Sequence, residues 1–275
     1  MSRLRRALCA VAALAAAAFG PPASAQGRAD GIVADLPTRP GVTMRYLAVE
    51  PDRRPGAVAI LFVGGLGAPA LPSRGDAGWV GGGNFLARSR ELFRQRGIVA
   101  IVVGAPSDHR DGLRAWRLTD EHANDIAALI GEARRRWRGL PVWLVGTSTG
   151  TVSAASVAAR LGPGTVDGVI LTATVTRGGR ADNDLGGRSV NDVSLADLRM
   201  PVLLVQHRDD RCVASPFAGA EALRGRLSGA ARSDLIAVSG GDPPRSGPCD
   251  PYSPHGFLGV EAQAVDAMAA WMGVR

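Results

Sequence analysis

Three short stretches of this chain carry side chains suited to nucleophilic and proton-transfer chemistry. The first is Gly146-Thr147-Ser148-Thr149-Gly150, a G-x-S-x-G pattern that follows the apolar run 142–145 and precedes small residues at helical spacing, Ala154, Ala155, Ala158 and Ala159. That order reads as strand, sharp turn and helix with a serine at the apex, where glycines two positions to either side let backbone pass closely. A hydroxyl becomes a useful nucleophile only when a base takes its proton, and the base in turn needs an orienting acid. Acids stand at Asp209 and Asp210 in His207-Arg208-Asp209-Asp210-Arg211-Cys212, just beyond the apolar run 201–206. A base stands at His255 in Cys249-Asp250-Pro251-Tyr252-Ser253-Pro254-His255-Gly256, before the final helical stretch. Each has a bland counterpart: two solvated turn acids, and a histidine that only packs. The serine pattern itself arises by chance roughly a quarter of the time in a chain with this much glycine, so its surroundings must carry the argument.

The surroundings alternate. Residues 42–49 are β-rich and read as a sheet-edge strand, and 57–63 form a continuous apolar run of the kind covered on both faces. An amphipathic helix is expected over 85–96, stopped by Gly97, followed by a strand over 98–103 and a long helix over 120–137 with Ile126, Ile130, Ala133 and Trp137 at core spacing. After the Ser148 turn come strands over 166–173, 201–206 and 235–238, with helices over 216–227 and 261–272. Repetition of strand and helix predicts an α/β fold: a mostly parallel sheet with helices on both faces. In such a sheet, functional groups gather at the carboxyl ends of strands.

Composition narrows the field. Arg3, Arg5 and Arg6, then an uncharged apolar stretch over 7–20 and Ala23-Ser24-Ala25, read as a cleavable export leader over 1–25, leaving one domain over 26–275. The apolar stretch is too short for a membrane span, which needs about 20 residues. A periplasmic or secreted location follows as the expectation. Removing the leader, with its three arginines and no acid, lowers the formal charge from +7 to +4. No arginine run is interleaved with aromatics, so nucleic acid is not an expected partner. The glycine-rich loop from Gly64 to Gly83 lacks a Gly-Lys-Ser/Thr ending and the dinucleotide spacing, which argues against a bound nucleotide; a flexible connector and a donor loop for an oxyanion both remain open. The four histidines, 109, 122, 207 and 255, show no ligand-like spacing, so neither metal nor cofactor is expected. Cys9 departs with the leader, and Cys212 and Cys249 form an even pair best read as a disulfide in an exported chain.

With serine, acid and histidine each following its own strand, the chain resembles the α/β-hydrolases, whose triad runs in the order Ser, Asp or Glu, His. The resemblance covers nearly all of the chain from Val42 onward. It implies Ser148 as nucleophile, His255 as general base and acid, and Asp210 in preference to Asp209 as orienting carboxylate, because the family's acid precedes a Val and a Pro, here Val213 and Pro216. It also implies oxyanion donors at the backbone N–H groups of Leu66 and Thr149, although Gly64-Gly65 stands where many members have His-Gly. Only 27 residues separate Ala173 from Pro201, so the lid found in many relatives is short or absent. The implied activity is cleavage of a small or flexible ester, with peptidase, lactonase or thioesterase chemistry, or a non-catalytic binding role on the same scaffold, as alternatives. A Cys212–Cys249 bridge would tie the acid loop to the base loop. His109, Asp111, His207 and Trp116 could line the site, but each reads better as a loop-surface or packing residue.

Overall fold

Successive residues of the fully buried central strands point into two different apolar clusters, which shows that the sheet is covered on both sides. In β3 (Ala57–Phe62), Val58, Ile60 and Phe62 enter one apolar cluster while Ala57, Ala59 and Leu61 enter another. The remaining strands are β1 (Ile32–Arg39), β2 (Val42–Val49), β4 (Ile98–Pro106), β5 (Val142–Thr147), β6 (Gly168–Thr172), β7 (Val202–His207) and β8 (Ser233–Val238). The computed structural model describes residues 31–73, 83–178 and 185–274. The expected leader with Cys9, and residues 74–82 of the glycine-rich loop, lie outside the described residues.

The sheet runs β1-β2-β4-β3-β5-β6-β7-β8. Strands β3 to β8 pair in parallel, and β2 and β1 are added antiparallel beyond β4. The helices are α1 (Phe85–Arg88), α2 (Arg90–Gln95), α3 (Asp120–Arg136), α4 (Gly150–Leu161), α5 (Phe217–Arg226) and α6 (Glu261–Trp271). Ile126 and Leu129 of α3, Val152 and Val157 of α4 and Leu223 of α5 pack on one face of the sheet. Phe85, Phe93, Val265 and Met268 of α1, α2 and α6 pack on the other. Complete burial of each such side chain contributes about 1.5–3 kcal/mol, so the two apolar faces dictate a three-layer arrangement. Among the described residues, the connection between β6 and β7 holds only two short 3-10 turns, Val190–Asp192 and Leu195–Asp197, and no lid.

Two expectations are corrected. β2 is not the sheet edge, because β1 pairs outside it. Asp35 and Pro37 broke the apolar pattern of β1, yet both suit an edge strand, where one side needs no ladder donor. Arg39 at its end forks onto buried Asp125 of α3 at 2.8 and 3.0 Å, which fastens the edge to the helix layer. The helix expected over 85–96 is two pieces, divided at Ser89 with φ −88° and ψ 2°.

The chain leaves β3 for β4 on one side and returns to β5 on the other, so the carboxyl ends of β3 and β5 open onto the sheet's switch point, the usual crevice for a ligand in such folds. Near this point His122 of α3 is buried beside Trp116, with ring centroids 5.1 Å apart, and among the described residues neither ring nitrogen has a hydrogen-bond partner. Burial first, then the charge of nearby Arg117 and of His109, push its pKa down to about 3. The unfolded chain therefore takes up a proton below about pH 6.5 that the folded chain refuses until about pH 3. Folding stability is untouched by this group above that window and falls by up to ~1.4 kcal/mol per pH unit on descending through it. Replacing His122 with Phe is expected to shrink the loss of stability between pH 7 and pH 4 by about 3 kcal/mol, as read from urea unfolding at both pH values; an unchanged loss would refute the assignment.

Candidate active site

Ser148 sits between β5 and α4 with φ 53°, a left-handed conformation that non-glycine residues rarely adopt. Its N–H donates to the Thr172 carbonyl at 3.0 Å, and its own carbonyl accepts from the N–H of Thr151 at 2.9 Å and from the Thr151 hydroxyl at 2.5 Å. The flanking glycines are required by contact. A Cβ on Gly146 would lie 2.4 Å from the Gly150 carbonyl oxygen, and one on Gly150 would lie 2.2 Å from the Phe62 carbonyl oxygen. A Cβ on Gly64, just past β3, would lie 2.9 Å from Ser148 Cβ. Three backbone segments thus converge on the serine, which is why its strained turn can be held.

The hydroxyl of Ser148 lies 3.0 Å from His255 Nε2, and His255 Nδ1 lies 2.9 Å from Asp210 Oδ2. Both partners of the serine are buried, His255 at 4% exposure and the Asp210 side chain at 0%. With Nδ1–H donating to the carboxylate, Nε2 is left to accept from Ser148, the tautomer a general base needs. His255 stands on a short 3-10 turn, Pro254–Gly256, that ends at Phe257 with φ 58°. Phe257 is wedged against Phe85, ring centroids 4.6 Å apart, and Arg88 donates to the Gly256 carbonyl at 2.5 Å. The base loop is thereby anchored on both sides.

The carboxylate of Asp210 is fully engaged. Its Oδ1 accepts from the N–H of Cys212 at 2.9 Å, and its Oδ2 accepts from Ser215 Oγ at 2.9 Å and Gln206 Nε2 at 3.1 Å as well as from the imidazole. Ser215 Oγ also lies 2.9 Å from His255 Nδ1. Asp209 points away, its side chain 68% exposed. Cys212 and Cys249 are bonded, with 37 residues of sequence separation, so the acid loop and the loop leading to His255 are covalently joined. Loop closure of that length corresponds to about 3–4 kcal/mol on the chain-entropy view.

Behind the serine, Arg117 is 1% exposed. Its Nη1 donates to Ser153 Oγ at 2.8 Å, and its Nη2 donates to the Gly65 carbonyl at 2.9 Å and approaches Thr149 Oγ1 at 3.4 Å. Among the described residues no carboxylate pairs with it, and burial pushes its pKa down to about 9, which leaves it a cation at neutral pH. Thr149 Oγ1 donates to the same Gly65 carbonyl at 2.7 Å.

The structure brings Ser148, Asp210 and His255 together and sets Leu66 on the loop after β3 and Thr149 on the serine's own turn into α4. His207 is occupied elsewhere, with Nε2 on the Gly240 carbonyl and Nδ1 accepting from the N–H of Asp209. His109 stacks on Trp116 at 4.2 Å, both packing rather than reaching Ser148. Gly112 of the loop bearing Asp111 packs against Leu66. Sequence reasoning missed Gln206, Ser215 and Arg117. No motif marks them; the one available signal was that polar residues this near the expected acid and oxyanion loops should be buried with partners. Among the described residues no cluster of His, Cys, Asp or Glu could hold a metal ion, and no helix is long and apolar enough to cross a membrane.

Residues 107–190 match the sequence pattern of the serine aminopeptidase S33 family. No curated protein is similar to the chain by sequence. Among solved structures, the chain is similar to a cold-adapted esterase from an Arctic intertidal metagenomic library, with TM-score 0.56, 16% identity and coverage of 89% of this chain and 92% of that one. It is similar to an α/β serine hydrolase without lid from Xanthomonas campestris, with TM-score 0.54, 16% identity and coverage of 86% and 94%. The acylaminoacyl peptidase of Pyrococcus horikoshii shares the fold over 88% of this chain but 41% of its own, with TM-score 0.60 and 12% identity.

The packing of Gly150 makes a direct prediction. Gly150→Ala forces a methyl group against the Phe62 carbonyl and is expected to lower folding stability by at least ~2 kcal/mol, the range for overpacking a rigid site; an equal urea midpoint in variant and wild type would contradict the geometry.

Proposed function

We propose that this chain, whose fold is that of the α/β-hydrolases, is a serine hydrolase that cleaves an ester of a small or flexible substrate through an acyl-enzyme on Ser148. The observation that carries the reading is the continuous path from Ser148 Oγ through His255 to the buried carboxylate of Asp210, at 3.0 and 2.9 Å. In the first step Ser148 Oγ bonds to the substrate carbonyl carbon while its proton passes to His255 Nε2. The imidazolium is stabilised by Asp210. Negative charge on the former carbonyl oxygen is met by the N–H groups of Leu66 and Thr149, neither of which has an acceptor among the described residues. The bond from carbon to the leaving alkoxide then breaks, and His255 returns its proton to that oxygen. Water repeats the sequence in the second half: His255 takes its proton, the hydroxyl bonds to the acyl carbon, and Ser148 leaves with the proton restored.

The open connection between β6 and β7 supports a small or flexible substrate. An ester is favoured by the similarity to esterase structures; the S33 pattern and the acylaminoacyl peptidase likeness favour an amide as the second reading. The disulfide supports a periplasmic or secreted location, since such bridges persist in oxidising compartments.

Wild-type protein is expected to hydrolyse p-nitrophenyl acetate or butyrate, faster than the corresponding anilides, and Ser148→Ala to lose roughly a thousandfold or more in kcat. Equal rates in the two samples would sink the serine mechanism and favour a non-catalytic binding protein. We also propose that the bridge holds Asp210 in register with His255. The folded Cys212→Ser, Cys249→Ser double variant should then lose about tenfold in kcat, the scale of a positioning error; full turnover would leave the bridge a role in stability alone.

A further inference from the structure

We infer that Arg117 is a positioning residue for oxyanion binding: its guanidinium clamps the Gly65 carbonyl and so aims the N–H of the same peptide unit, that of Leu66, into the site. The inference rests on the hydrolase reading above. A trans peptide is planar, with C=O and N–H pointing in opposite directions. Whatever holds the Gly65 oxygen therefore sets the direction of the Leu66 N–H. Two donors hold it, Arg117 Nη2 at 2.9 Å and Thr149 Oγ1 at 2.7 Å. One of them is charged, and a carbonyl that accepts a charge-assisted hydrogen bond polarises its amide, making the N–H a stronger donor. Thr149, whose hydroxyl belongs to the same clamp, supplies the second proposed donor, but the direction of its N–H is set by the Ser148 carbonyl, which Thr151 holds; the guanidinium acts on the Leu66 end of the oxyanion site.

The surroundings are shaped for this cation. A Cβ on Gly67 would lie 2.3 Å from Arg117 Nη2, so the loop after β3 folds directly over the guanidinium. Ser153 of α4 holds the other terminal nitrogen at 2.8 Å. A role confined to stability explains the arrangement poorly. A buried cation without a carboxylate partner is unfavourable for folding, and among the described residues Arg117 has neither a carboxylate nor a partner for its Nε. An apolar side chain of similar length would fill the same volume without that penalty.

The test uses the full chain, with Arg117→Met and Arg117→Lys compared with wild type. We expect Arg117→Met to fold with no lower thermal midpoint, to lose roughly 10- to 100-fold in kcat on p-nitrophenyl butyrate, and to keep KM within about threefold, because the clamp acts on an interaction made in the transition state. The Leu66 amide proton, followed by NMR, should move upfield as its polarisation is lost. Arg117→Lys, which keeps the charge but offers one point donor in place of the fork, should recover part of the kcat. Should Arg117→Met fail to fold, Arg117→Lys carries the test: a fall in kcat at constant KM supports the clamp, and wild-type kcat overturns it. An active wild type with unchanged kcat and unchanged Leu66 shift in Arg117→Met overturns this role alone. A wild type inactive on both esters and anilides overturns the hydrolase reading, and this role with it.

Discussion

Everything at the site depends on how closely three backbone segments approach around Ser148. The end of β3, the end of β5 and the first turn of α4 meet at distances that admit no Cβ on Gly64, Gly146 or Gly150. That approach holds the serine at φ 53°, and the surrounding hydrogen bonds from β6 and α4 keep it there. Strain of this kind persists only where the neighbouring structure over-determines it. The parallel sheet supplies that rigidity, because β3 and β5 are central strands buried on both faces.

The polar residues around the serine divide into two groups with different energetics. Asp210, Gln206, Ser215 and His255 hydrogen-bond one another, so a buried carboxylate is held at the imidazole by a paired network. Such a network is rigid and sets a single geometry. Arg117 and His122 are the opposite case, buried on the side of the sheet covered by α3 and α4 with nitrogens that have no partner among the described residues. Their proximity matters to His122, since the charge of Arg117 helps to keep it neutral. Stability is surrendered on this side, next to the loop proposed to bind the oxyanion, and recovered in the apolar layers and the disulfide.

The disulfide and the Arg88 contacts address a different problem. Ser148 is fixed by the sheet, but Asp210 and His255 stand on loops, which are inherently more mobile. Cys212 joins the acid loop to Cys249 ahead of the base, while Phe257 wedged on Phe85 and Arg88 bound to the Gly256 carbonyl pin the base from the far side. Two loops distant in sequence are thus held to the tolerance that a hydrogen-bonded chain of three side chains demands.

The sequence by itself determined the α/β alternation, the strand–turn–helix around Ser148, and the order in which serine, acid and histidine follow successive strands, because apolar periodicity and glycine placement are local properties. It misjudged β2 as the edge, since the polar and proline-broken pattern of β1 resembles a loop until it is paired. It also could not see the break at Ser89. The resemblance already preferred Asp210 to Asp209, but only the tertiary structure shows how these neighbouring side chains on one turn diverge, one into solvent and one toward the imidazole, because composition is blind to direction. The same holds for Ser215, Gln206 and Arg117, ordinary polar residues in sequence, whose parts are set by which buried atoms lie within 3 Å of them once distant segments have packed together.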